Sequence, residues 1–294
     1  MYNLPKITSI YFDPTTDFGF KKLFGEEAND DLLMNFLNSM LPPEHQITSL
    51  SFQKTEQLPD HEDGRKTIYD LLCTDKNGET FIVEMQKSPM TYLMDRVTYY
   101  STFPIQLQAP KGKWNFKLKP VYAIGILDFE YDTNLTHWKK RQLLRSFSLR
   151  DDQGVQMTDN LHFVFLQLPF FTKEVHQLET QFDKWCYFLK NLETMDSIPT
   201  ILKEPIFEKA FDIASMSNME KNDYILYQIS KNKKYEIEIV TDEARAEGKA
   251  EERAKSILNI HSNGFTPSQI SGLLKIPILE VVEVLKNHGL MDIN

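Results

Sequence analysis

Cysteine is nearly missing from this chain: 294 residues hold only Cys73 and Cys186, far apart and without paired spacing. Such a pair neither staples a secreted fold nor supplies a zinc-ligand pattern, so a reducing, cytoplasmic setting is expected. There is no apolar run approaching the roughly 20 residues that span a bilayer, and no membrane partner is expected. The first residues, Met1-Tyr-Asn-Leu-Pro-Lys6, lack the basic, apolar and small-residue order of a secretory signal. Positive charge is also in short supply: 33 Lys and Arg stand against 42 Asp and Glu, a formal net charge of -9. That balance excludes coating of nucleic acid by charge alone. It does not exclude a site whose carboxylates are offset by a divalent metal, nor a local basic groove. Internal repeats and low-complexity tracts are absent. His45, His61, His162, His176, His261 and His288 show no pairing with Cys or acids at ligand spacing, so no zinc site is expected. The remaining composition, 41% hydrophobic and 26% charged, is that of a globular protein. The length suits one or two domains, each able to bury a core.

Apolar periodicity predicts two helices between Asp17 and Leu41, separated near Gly25 and stopped by Pro42-Pro43. Three strands are expected next, over Ile47–Gln57, Thr67–Thr74 and Thr80–Gln86. The last two flank Asp75-Lys-Asn-Gly78, a hairpin signal that makes them antiparallel neighbours. A polar loop from Leu58 to Lys66 precedes them. Pro89–Gln108 reads as a helix kinked or shortened at Pro104. Val121–Phe129 is a near-continuous apolar run, the pattern of a strand buried on both faces. Arg145–Leu149 and Leu161–Leu168 are further strands, and Thr172 to about Ser230 is mainly helical. This order predicts a mixed α/β domain with a central sheet over residues 1–235, its sheet core about 8–170 and its helical part about 172–235. Residues 236–294 read as a charged helix followed by two short helices. Thr266-Pro-Ser-Gln269 forms a capping box, and the pair resembles a helix-turn-helix.

The chemistry concentrates in the hairpin. Alternation along a strand puts Glu84 and Gln86 on one face together with Ile82, with Val83 and Met85 on the other. Asp70 interrupts the apolar run Ile68–Cys73 on the preceding strand. A carboxylate inside such a strand is costly unless partnered, and two on adjacent strands can share one divalent cation. Mg²⁺ suits this donor set, with Mn²⁺ as a substitute: hard oxygen ligands, few of them from protein. Gln86 would orient a water through its amide. Equally open from the hairpin alone is a structural role, with Asp70 and Glu84 salt-bridged to Arg96 or Lys66.

Four separated motifs occur in order: Asp17-Phe-Gly-Phe-Lys21-Lys-Leu-Phe-Gly25, Ile68-Tyr-Asp70-Leu-Leu, Ile82-Val-Glu84-Met-Gln86 and Asp95-Arg96-Val-Thr-Tyr99-Tyr100. Together they resemble the PD-(D/E)XK nuclease family transposases, also called recombination-promoting nucleases. The resemblance is good over roughly residues 8 to 130 and thins toward 235. It implies a restriction-endonuclease-like fold, Mg²⁺-dependent endonucleolytic cleavage of DNA, and a link to mobile elements or recombination. On this chain the metal-binding acids fall on Asp70 and Glu84, and the third motif position on Gln86. The superfamily's usual Lys is Gln86 here, in keeping with this transposase branch, which removes a fixed positive charge beside the nucleophile. Lys87 should face the other side of the strand. The literal Pro59-Asp60 lies in the polar loop, too early for the strand that pairs with Glu84.

Around this centre stand auxiliary candidates, each with a plainer alternative. Asp17 is a further acid near the metal or a helix N-cap. Lys21 and Lys22 are surface charges or phosphate contacts. Arg96 and Tyr100, four apart, share a helix face that contacts DNA or simply packs, and Tyr99 lies on the same helix. Gln106 could approach the site. Trp114, between Lys113 and Lys117, stacks on a base or packs a loop. The terminal helix pair begins its second helix with apolar and acidic residues, which suits docking or homo-oligomerisation better than major-groove reading. Rival functions are a DNA-binding or interaction protein that kept the fold with weak or no catalysis, and a regulatory module acting through the C-terminal helices.

Overall fold

The computed structural model describes residues 9–57, 67–131 and 142–291. Pro59-Asp60, His61, Lys66 and the residues before Ser9 lie outside them. The chain divides into two compact units, Met1–Lys234 and Tyr235–Asn294.

In the first unit, α1 (Asp17–Phe24) and α2 (Asp30–Met40) are the two helices expected from the apolar spacing. Thr16 caps α1 by accepting the Gly19 N–H, so Asp17 is the first helical residue and not the cap. The backbone N–H of a first-turn residue has no intrahelical partner, and a hydroxyl just before the helix can reach it.

The expected strand over Ile47–Gln57 forms only as β1 (Ser51–Phe52) and β2 (Glu56–Gln57). The expected strand over Thr67–Thr74 is likewise broken, into β3 (Thr67–Ile68) and β4 (Leu71–Thr74). The break has a local cause. Asp70 N–H donates to the Glu84 carboxylate at 3.2 Å, and the Asp70 carboxylate accepts the Met85 N–H at 2.8 Å. Side chains thus take hydrogen bonds that a continuous ladder would assign to backbone. The Tyr69 N–H turns instead to Thr55 O.

Beyond it, β5 (Thr80–Gln86) pairs antiparallel with β4 across the Asp75–Gly78 turn, where Gly78 has φ +81°. Only a residue without Cβ adopts that conformation at no cost. A crossover through α3 (Leu93–Leu107) leads to β6 (Val121–Leu127), buried along its whole length and parallel to β5. The helix starts later than Pro89 and continues through Pro104. After β7 (Leu144–Ser148) and β8 (Leu161–Gln167), the six-stranded sheet has the order β1-β4-β5-β6-β8-β7, with β5, β6 and β8 parallel. Strands β2 and β3 pair separately.

One face of the sheet carries Phe81, Val83, Met85, Tyr122 and Ile124 into the main core, with α1, α2, α4 (Gln181–Asn191) and α5 (Pro205–Ala214) against it. Leu93 and Val97 of α3 pack on the other face against Ala123, Leu127 and Phe165. Glu84 and Gln86 lie on that second face, as alternation predicts. The neighbour of Glu84 across the ladder is Gly125, where a Cβ would come within 2.8 Å of the Phe165 ring. This is a mixed α/β fold of the restriction-endonuclease-like kind.

The long helix α6 (Lys221–Ser262) contributes residues to both units. The second unit also holds α7 (Pro267–Leu274), with the expected Thr266/Gln269 capping box, and α8 (Ile278–Asn287). Ile257, Ile270, Val281 and Leu285 form its small core. Among the described residues no helix is long and apolar enough to cross a membrane.

Candidate functional site

Strand β5 and the break before β4 bring Asp70, Glu84 and Gln86 together. The amide of Gln86 donates to Glu84 Oε2 at 3.3 Å, and Glu84 Oε1 accepts from the Asp70 backbone. Glu84 is only 5% exposed, yet it sits beside a second carboxylate. Burial first, and Asp70 second, push its carboxyl up to about 8, with Arg96 and Lys21 opposing. The Asp70 carboxyl is raised as well, chiefly by burial, against the Met85 N–H and Lys21. Two acids that resist ionising together are short of positive charge.

The cations nearby meet that need only in part. Arg96 Nη2 lies 3.7 Å from Glu84 Oε2, and Lys21 Nζ lies 3.8 Å from Asp70 Oδ1. Both are ion-pair separations longer than a hydrogen bond. Lys21 is held more closely by Asp17, at 3.0 Å across one helical turn. Burial opposes the Lys21 charge, but Asp17, then Asp70 and Glu84, raise its pKa. Asp17 therefore joins the site through Lys21. The alternative of Arg96 as a salt-bridge partner of the acids is realised at long range, while Lys66 lies outside the described residues.

Helix α3 supports the same corner. The Arg96 guanidinium stacks on the Tyr100 ring at 4.8 Å, and the Tyr69 hydroxyl donates to Tyr100 O at 2.9 Å. Tyr99 is exposed and packs edge-on against Phe103. Gln106 is exposed near the end of the helix.

Three features go beyond the sequence reading. Lys21 faces Asp70, a role whose only signal was its four-residue spacing from Asp17. Lys87 follows β5 within electrostatic reach of the acids; burial lowers its pKa, and Asp17, Asp70 and Asp13 oppose this. Beside them lies a buried network. Asp13 accepts from Lys231 at 2.8 Å and Lys234 at 3.0 Å, and Lys234 also reaches Thr15 and Asp128. Burial alone would raise the Asp13 carboxyl, yet Lys234 and Lys231 hold it at about 2. Nothing in the local sequence links residues so far apart. A cleft of about 530 Å³ opens next to the site, lined by Asp17, Lys21, Lys22, Leu226, Ile229 and Lys233.

The loop before β6 has its own character. Lys111, Lys113, Lys117 and Lys119 are exposed, and Trp114 packs against Phe116 at 5.0 Å. Phe116 is 78% exposed at φ +59°, a costly backbone conformation for a bulky residue.

Comparison with known proteins agrees with the geometry. Neither the curated proteins nor the solved structures gave a match. A protein-family model, PD-(D/E)XK nuclease family transposase, matches residues 14–244. That span includes the sheet, the acid pair and most of the helices packed on them, and the chain belongs to the PD-(D/E)XK nuclease family transposases.

Proposed function

We propose that the protein is a divalent-metal-dependent DNA endonuclease, using Mg²⁺ with Mn²⁺ as a substitute, and that Asp70, Glu84 and Gln86 are its catalytic centre. The observation that carries this reading is the buried Glu84 carboxylate beside the partly buried Asp70, joined to it through the Asp70 N–H and to Gln86 through its amide, an arrangement in which burial pushes both carboxyls toward their neutral form. Their hard oxygen donors fit such a cation, which Asp70 and Glu84 would hold. Bound there, the ion would polarise a phosphodiester oxygen and acidify water.

The chain's own residues do the rest. The bond from the Gln86 amide nitrogen to Glu84 turns its carbonyl oxygen away, where it can accept a hydrogen bond from the attacking water. An amide is not basic, so Gln86 positions that water without taking its proton. Lys21 and Arg96, only loosely engaged by the acids, can shift to the scissile phosphate and stabilise its developing charge. Asp17 steadies Lys21, and Tyr100 supports the Arg96 guanidinium. The lysine-rich loop around Trp114 offers phosphate contacts and a stacking surface for DNA despite the acidic total. The family links this activity to transposition or recombination.

Incubation with supercoiled plasmid tests the reading. Wild type should nick or linearise it only with Mg²⁺ or Mn²⁺, and Asp70→Ala/Glu84→Ala should not. The replacement of the usual Lys by Gln86 favours one rival, a DNA-binding protein of weak or no catalysis. Gel shifts without cleavage in either metal would establish that rival. In the C-terminal unit, exposed Leu273, Ile278 and Leu279 support self-association.

A further inference from the structure

We propose that His45, Asp159 and His162 form a second metal site, selective for a transition ion of the zinc class and separate from the Asp70–Glu84 pair. Local sequence spacing gave no zinc pattern, but the fold brings these three side chains together. His45 ends a short turn of helix after α2, Asp159 lies in the loop before β8, and His162 is the second residue of β8. One potential ligand atom from each lies within 4.8 Å of the others. Asp159 Oδ1 is 3.3 Å from His162 Nε2, and Asp159 Oδ2 is 3.9 Å from His45 Nε2. Ligand atoms around a tetrahedral zinc stand about 3.3 Å apart, given bonds of about 2.0–2.2 Å. The Asp159–His162 separation already matches, and the remaining pairs, all within 4.8 Å, must close by up to about 1.5 Å, which rotation of the exposed Asp159 side chain and of His45 would supply.

The surroundings hold the imidazoles in place. His45 Nδ1 is hydrogen-bonded to the Tyr122 hydroxyl at 2.8 Å. With Nδ1–H donating, the Nε2 lone pair is directed toward Asp159, the arrangement in which a supporting partner fixes the tautomer of a metal ligand. The rings of Phe81, Tyr122 and His162 stack across three adjacent parallel strands, at 4.8 and 4.6 Å and within 10° of parallel. That stack restrains the His162 ring. His162 Nε2 is 2.9 Å from Asp159 O, a bond that metal binding would replace. Asp159 is exposed, so water can satisfy the released carbonyl.

The donors decide which ion binds. Two imidazoles and one carboxylate favour Zn²⁺, Ni²⁺ or Cu²⁺, whereas Mg²⁺ prefers oxygen alone. Three protein ligands leave a fourth position for water. The site lies on the sheet face opposite Glu84, because Phe81 and Tyr122 point into the main core. It would tie the end of α2 to the start of β8.

The test is zinc binding by the full chain, with ZnCl₂ as the only added metal and calorimetry as the readout, in an Asp70→Asn/Glu84→Gln background that disables the acid pair. One zinc per chain should bind, and excess Mg²⁺ should not displace it. His45→Gln should weaken binding at least about tenfold, and Tyr122→Phe, which keeps the ring stack, by about 10- to 100-fold. Asp159→Asn alters an exposed side chain and is the variant least able to disturb folding. It too should weaken zinc binding, with an unchanged circular dichroism spectrum. No zinc bound in this background, or affinity unchanged in folded His45→Gln and Asp159→Asn, would overturn the site.

Discussion

Glu84 is the residue at which the proposed metal binding should couple to stability. Its folded carboxyl titrates at about 8, above an ordinary value of 4.5. A group raised on folding contributes stability that is complete below its unfolded value and lost as pH climbs through the folded one. Metal-free wild type should therefore lose stability between about pH 5 and about pH 8.5, and Glu84→Gln should flatten that slope. Urea unfolding across this range measures both; equal slopes would contradict the assignment. Mg²⁺ should restore wild-type stability at the alkaline end, because binding needs the ionised carboxylates. The grouping of these three side chains was legible in the sequence because strand alternation is rigid: it put Glu84 and Gln86 on one face and marked Asp70 as an acid in an apolar run. Lys21 opposite Asp70, and His45 beside His162, were not legible. Their contacts join elements whose mutual placement no local pattern encodes.

Among the elements, the start of α6 is fastened to the sheet domain by charge. Lys231 and Lys234 converge on Asp13, which is 4% exposed. Removing one partner of a buried pair leaves uncompensated charge, so Asp13→Asn should cost about 3 to 5 kcal/mol in denaturant unfolding. The Asp13 carboxyl, depressed to about 2, contributes stability that is present above about pH 4 and is lost as pH falls through about 2. The loop before β6 makes a different prediction. Lys113→Ala/Lys117→Ala should weaken DNA binding and reduce its salt dependence by roughly one unit of slope per lysine. Phe116→Ala should lower affinity for single strands by about 1 to 3 kcal/mol if its exposed ring stacks on a base. Salt-dependent anisotropy titrations read both. Helices and the buried strands β5, β6 and β8 followed from periodicity and apolar runs. The fragmentation of the strands before β5 did not, because it depends on Asp70 and Glu84 diverting backbone hydrogen bonds, a tertiary effect that strand propensity does not contain.

At the scale of the whole molecule, an acidic chain carries a run of exposed lysines, Lys111, Lys113, Lys117 and Lys119, in the loop before β6, and a buried carboxylate, Glu84, beside Asp70. The C-terminal unit adds a small core and several exposed apolar side chains, including Leu279 at 77% exposure. Leu279→Glu should lower the mass measured by light scattering if those side chains join two copies; an unchanged mass would assign the unit another role. Central to the account is the acid pair as a metal-dependent phosphodiesterase centre, and the most direct measurement is the single-turnover nicking rate of supercoiled plasmid in Mg²⁺ for wild type beside Glu84→Gln. That substitution keeps the side chain's size and leaves an amide oxygen to accept from the Asp70 N–H, but removes a charged metal ligand. The account predicts a rate at least about a thousandfold lower in the variant, since metal-assisted stabilisation supplies several kcal/mol; equal rates in the two proteins would contradict it.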